Sequence, residues 1–231
     1  MRELVQVFYE PGKVFDAVRE RGKWAPAFVA VTLLGALLYF GMVQLIGAGN
    51  LARNAFESNP RLAAMVPPEA VQKAALDAET PGRKATGLAS AAMGTAISLL
   101  FLAGLFVGIV SIMDKRVSFT RMLGAVSYAW FPVSLIGGAL MLLTIVLSND
   151  RSTLDPQNLL ATNVSMFMSD ATSRPLRAFV GVFDLLSFAR IGLLSVGISK
   201  VAQMPFRHAL GVVLGLWAVW VCFRVGLSFV F

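Results

Sequence analysis

Three stretches of this sequence carry no charged residue at all: Pro26 to Ile46, Gly87 to Met113 and Met122 to Leu147. Two more, Leu176 to Ile198 and His208 to Phe231, are apolar apart from a few isolated charges. Each matches the roughly 20 residues that a helix needs to cross a hydrocarbon core of about 30 Å. Hydrocarbon offers the backbone no water, so such segments close their hydrogen bonds internally, as helices or as a sealed barrel. The runs are continuous rather than alternating, which selects helices. The expected fold is all-α: a multi-pass membrane helical bundle of five transmembrane helices, at about 26–46, 87–113, 122–147, 176–198 and 208–231.

Composition narrows the function. Charged residues make up 14% of the chain, against about a quarter in soluble domains, and mean hydropathy is +0.72. The net charge of +7 raises nucleic acid as a partner, but the basic residues are scattered and no Arg/Lys-rich helix or aromatic stacking motif accompanies them. Nucleic acid is therefore not an expected partner. The single cysteine, Cys222, and single histidine, His208, leave no internal disulfide and little metal chemistry. There is no HExxH, GxSxG or phosphate loop. Ser127 beside Tyr128 reads as a packing hydroxyl. The expectation is a non-enzyme without a cofactor, and its small-molecule substrate, if it has one, is not encoded in any motif.

Residues 1–25 precede the five-span domain at 26–231. This leading segment carries four acidic residues and leads into an apolar run too long for a signal-peptide core, so the first run is a permanent span. Phe8, Pro11, Val14, Phe15 and Val18 recur at helical spacing, with Lys13, Asp16, Arg19 and Glu20 on the other side. Pro11 suits a first turn. The pattern predicts an amphipathic interfacial helix, with Phe8, Phe15, Val18 and Trp24 at the membrane–water boundary. A cap packed on the helix bundle is the alternative.

Within the loops, Pro68-Glu69 opens a helix through Ala78, and the apolar stretch from Asn158 to Met168 is expected to pack on the bundle or dip into the interface. Gly104 and Gly108 form a small-xxx-small pair that permits close helix approach. In the third span, Pro132 removes a donor and crowds the carbonyl of Tyr128, which predicts a kink there.

The charges inside spans are Asp184, Arg190 and Arg224. Charge at that depth costs roughly 2.5–3.5 kcal/mol per residue on insertion scales, so these groups face other helices or water. Arg190 stands six positions from Asp184 on one helix, a poor spacing for a pair. In an antiparallel hairpin closed by residues 200–207, Asp184 and Arg224 reach similar depth, and the expectation is that they pair. That pair is either a helix clamp or a gated pair lining a cavity, as in a small transporter or channel. The same register predicts Arg190 stacked on Trp217, with snorkelling toward the cytoplasm as the alternative.

Basic residues set orientation. The N-terminal segment and the turns at 114–121 and 200–207 hold five, three and two Lys/Arg, whereas the longer loops 48–86 and 148–178 hold five and three. The N-terminus is expected in the cytoplasm and the C-terminus outside, in the inner cell membrane.

Three features occur in order: the opening FYEPGKVFDAVRE (Phe8 to Glu20), the aromatic-proline SYAWFP (Ser127 to Pro132), and a fourth span beginning FDLL (Phe183 to Leu186) and continuing GLLSVGISK. Together they resemble the Yip domain family, the Ypt/Rab-interacting proteins, in its prokaryotic branch. The resemblance implies five spans and a cytoplasmic N-terminus. Eukaryotic members are linked to Rab GTPases and vesicle traffic, and they carry a long cytoplasmic N-terminal region that this chain lacks. Where the family tends to an aliphatic–tryptophan pair after the aspartate, this chain has Phe188-Ala189 and then Arg190. No catalytic residue carries over. The function expected is that of a non-enzymatic protein that organises membrane or scaffolds partners. Its partners are the lipid bilayer and other membrane proteins or further copies of itself.

Overall fold

The structure, a computed structural model, describes residues 2–57, 65–148, 151, 154, 176 and 179–230. The described residues are ordered by nine helices: α1 (Arg2–Gln6), α2 (Pro11–Arg21), α3 (Ala25–Ile46), α4 (Ala48–Glu57), α5 (Pro68–Ala78), α6 (Pro81–Ile112), α7 (Phe119–Leu147), α8 (Leu185–Ala202) and α9 (Phe206–Val230). Four of them, α2, α3, α5 and α6, open with a proline in the first turn, where its missing N–H costs nothing and its fixed φ suits the helix. Five of them, α3 and α6 to α9, are long and apolar enough to cross a membrane. The protein is an all-helical multi-pass membrane bundle.

The organising helix is α7. Its residues Met122 to Ala129 are buried without interruption, which happens only when a helix is surrounded. It packs against α3, α6, α8 and α2. The main apolar core gathers Phe15, Val31, Leu99, Phe106, Met122, Tyr128 and Ile198 from all of these elements. At the edge, α9 packs chiefly on α8, and Leu214, Val219, Trp220 and Phe223 are exposed on the surface that hydrocarbon covers.

Several element boundaries differ from the sequence reading. The helix of the second span begins at Pro81 rather than Gly87 and runs for 32 residues, about 48 Å, so it tilts or overshoots the core. The helix of the fourth span begins at Leu185 rather than Leu176, because Asp184 is extended and caps it. α7 runs through Pro132 as one helix. Gly104 and Gly108 are not closely approached within the chain: the nearest atom to a Cβ on Gly104 is 3.8 Å away, and Gly108 has nothing within 4 Å. The Asn158 to Met168 stretch lies outside the described residues.

On the first extramembrane side, α4 and α5 pack on each other. Ala75 is buried there at 4% exposure, so Lys73, which is exposed, is the better reporter. Single cysteines at Lys73 and Ser118, each in a Cys222→Ala background, are expected to label from opposite faces of the membrane. Labelling of both by an impermeant reagent added to one face contradicts the five-span arrangement.

Candidate functional site

The N-terminal segment forms a cap on one end of the bundle. Val14, Phe15 and Val18 turn inward, with Phe15 at 0% exposure, and α2 lies against α8 and α7. Gly197 of α8 makes the notch for Phe15: a Cβ there would sit 3.0 Å from Phe15 Cε1 and 3.3 Å from the Ala125 methyl. This corrects the expectation for two residues. Phe15 and Val18 face protein rather than lipid, because the third and fourth spans offer a fully dry surface for the same apolar stripe. Phe8 is 46% exposed and meets Phe131 edge-on at 6.1 Å. Trp24, half-buried, meets Phe28 at 5.6 Å.

Ion pairs surround this apolar seat. Lys200 at the end of α8 donates to Asp16 at 3.0 Å, which ties α2 to the fourth span. Arg19 also lies 3.9 Å from Asp16. Lys23 donates to Glu3 at 2.6 Å, which ties α1 to the start of the first span. Glu10 accepts from Gln6 and pairs with Lys13. The hydrogen bond from Lys23 holds the Glu3 carboxyl down at about 2, and Lys13 and Gln6 hold Glu10 below the usual carboxylate range. These groups were legible as the polar face of an amphipathic helix, but their partners across 20 and 184 positions were not.

Of the three charges assigned to spans, Asp184 and Arg190 lie near enough to attract each other, but among the described residues none forms a direct ion pair with another. Asp184 accepts the Leu186 N–H at 3.3 Å and faces the Ser187 hydroxyl at 3.5 Å, so it is the N-cap of α8 and sits at the helix end. Among the described residues it makes no ion pair with Arg224. The expected pairing fails because it placed Asp184 deep inside a span that in fact starts after it. Arg224 lies 5.4 Å from the Trp220 ring of its own helix, the arrangement of an interfacial belt. Arg190 stacks on Trp130 of α7, 4.3 Å from the ring centroid, rather than on Trp217. Trp217 instead meets Phe183 and Phe188 at 5.8 and 6.4 Å. Such a cation–π contact contributes about 0.5–2 kcal/mol. Tyr128, expected beside a kink, is fully buried, and its hydroxyl has no partner among the described residues.

At the opposite end, Glu79 accepts the Gly49 N–H at 2.7 Å and pairs with Lys84 at 2.6 Å. The Gly49 N–H and Lys84 together hold its carboxyl below the usual range. One carboxylate thus joins α4, α5 and α6, a role that its place in a mixed-charge loop did not announce. Among the described residues no group of three His, Cys, Asp or Glu side chains could hold a metal ion.

A family model, the Yip1 domain, matches residues 5–227. The chain belongs to the Yip1 domain family. Neither a curated protein nor a solved structure matches it. The matched region starts before α2, so the cap falls within the Yip1 domain together with the five spans.

Two predictions follow from this geometry. Because Asp184 and Arg224 are engaged separately, the stability losses of Asp184→Asn and Arg224→Gln should add in the double variant to within about 0.5 kcal/mol. In the same thermal assay, Trp130→Leu should lower stability more than Arg224→Gln does. The second concerns pH. A carboxyl whose folded value lies below the ordinary 4.5 contributes stability above that ordinary value and loses it as pH falls toward the folded value. The stability difference between the parent and Glu3→Gln should therefore be full at pH 6 and shrink steadily between pH 4.5 and about 2. A difference independent of pH would show that the Lys23 contact contributes nothing.

Proposed function

We propose that this Yip1-family membrane protein is non-enzymatic and scaffolds partner proteins or organises the bilayer around it, with the cap as its docking platform. The observation that supports this most is the fixed seating of α2, through Phe15 in the Gly197 notch and the Asp16–Lys200 ion pair. A helix held at two points presents its outer residues, Lys13, Glu20 and Arg21, in one orientation and without an ordering cost on binding. The platform faces the cytoplasm of a cell with this chain in its inner membrane, and the C-terminus lies outside. The denser basic residues of the N-terminal segment and the two short turns support that orientation.

A transport role through Asp184, Arg190 and Arg224 is less well supported, since each of these is engaged by a different local partner. A photocrosslinking residue at Arg21 should capture a defined set of membrane or cytoplasmic proteins in cells. Capture should fall when Gly197→Leu displaces Phe15, an overpacking change of about 1–3 kcal/mol. Reconstituted protein should pass ions no faster than empty vesicles. Flux that disappears in Arg190→Gln would instead establish the transporter.

A further inference from the structure

The end of the bundle away from the cap holds a cavity of about 550 Å³. Its lining is largely alanine and leucine from α4 and α5, and Tyr39, Asp77, Arg83, Thr86 and Ser90 of α3, α5 and α6 supply the polar groups. Arg83 and Asp77 are exposed, and among the described residues neither makes an ion pair, whereas the neighbouring Lys84 is taken by Glu79. Among the described residues the cavity therefore offers a cation and a carboxylate without an ion-pair partner, with hydroxyls beside them.

Depth gives the cavity its meaning. Trp24 and Lys23 mark the membrane boundary at the start of α3. At about 1.5 Å per residue, Tyr39 stands about 21 Å from Ala25 and Ile46 about 32 Å. The cavity extends from Tyr39 past the end of α3 to Ala48 and Leu51, so it straddles the far edge of a core of about 30 Å. Below it lies a second hollow of about 500 Å³, almost wholly apolar, lined by Leu33, Leu37, Phe40 and Leu88 among others. By the same rise this trough covers about 8 to 23 Å along α3, from Ala30 to Phe40. Consecutive residues border the two hollows: Tyr39 and Gly87 line the upper one, Phe40 and Leu88 the lower. Gly87 makes room for the Tyr39 ring, because an added Cβ would land on its phenol and drive the ring from its place.

A largely apolar hollow that carries one cation and one carboxylate at the headgroup level, above a trough at the acyl level that is apolar throughout, matches one kind of molecule. We propose that this is a binding site for a single zwitterionic phospholipid, in the leaflet opposite the cap. Its phosphate lies on Arg83, whose planar fork suits phosphate oxygens, and its ammonium lies on Asp77. One acyl chain follows Leu37 and Phe40 down α3. A free phosphate would satisfy Arg83 but would leave Asp77 and the trough unused. The site is at the other end of the molecule from the docking platform and stands apart from that role.

The purified, delipidated full-length protein is titrated in detergent with phosphatidylethanolamine and phosphatidylglycerol of identical acyl chains, and bound lipid is counted by native mass spectrometry. The parent should retain one phosphatidylethanolamine in preference to phosphatidylglycerol. Arg83→Gln should weaken retention of both about tenfold, and Asp77→Asn should abolish the preference between them. Both substituted side chains are exposed, so the fold is not at stake. Inorganic phosphate at millimolar excess should leave the bound lipid in place. Unchanged retention in both variants overturns the proposal, and complete displacement by inorganic phosphate reassigns the cavity to a soluble anion and overturns it as a lipid site.

Discussion

Everything in this bundle depends on the burial of α7. A helix in hydrocarbon gains little from hiding apolar side chains from lipid, which is as apolar as they are, so helices associate through close packing and a few polar contacts. The continuous burial of Met122 to Ala129 means that four other elements find matching surfaces on one helix. Three of those elements cross the membrane. The fourth is α2, which does not, and its place beside α7 and α8 makes the cap part of the core rather than an attachment. The removal of Phe15 would thus open a void touching Gly197 and Ala125 in the middle of the packing, and not merely loosen a surface helix.

The same low-dielectric setting decides what happens to charge. An isolated ion in the core must find a partner or take up or lose a proton. The chain meets this constraint in three different ways. Asp184 is moved to a helix end, where backbone N–H groups receive it. Arg224 lies on its own Trp220 toward the end of α9, where a long side chain reaches the interface. Arg190 remains in the interior and is covered by the face of Trp130, a partner that carries no formal charge and so adds no second ion to desolvate. Among the described residues no two of these charges form a direct ion pair, although Asp184 and Arg190 attract each other at longer range.

Much of the architecture is legible in the sequence. The uncharged runs from Pro26, Gly87 and Met122 read as spans because nothing else can hold so long an apolar segment, and the proline-led starts at Pro11 and Pro68 appear as helices. The details that escaped are of one kind. Periodicity identifies the apolar stripe Val14–Phe15–Val18 but is silent on whether lipid or protein covers it, since both are apolar. Counting residues down a hairpin fixes relative depth only if both ends of the helix are known. The fourth helix starts at Leu185 because Asp184 prefers to cap it, a local competition that hydropathy does not register. Trp130 was missed as the partner of Arg190 because the third and fourth spans are separated by a long loop, which gives no register between them. Glu79 was missed because the backbone N–H that it receives, from Gly49, lies 30 positions away.

The two ends of the molecule treat their polar groups differently, and this asymmetry follows from what closes each end. On the cap side, Glu3, Glu10 and Asp16 are each matched by a lysine, so the side chains that anchor the cap are mutually satisfied and its geometry is fixed from within. Each exposed pair contributes little alone, but together they hold a helix whose apolar face is already buried. On the far side, Glu79 and Lys84 close the joint between α4, α5 and α6, and among the described residues Arg83 and Asp77 make no ion pair at the hollow beside it. That hollow keeps a cation and a carboxylate exposed among alanine and leucine side chains, whereas the cap side leaves its anchoring charges matched.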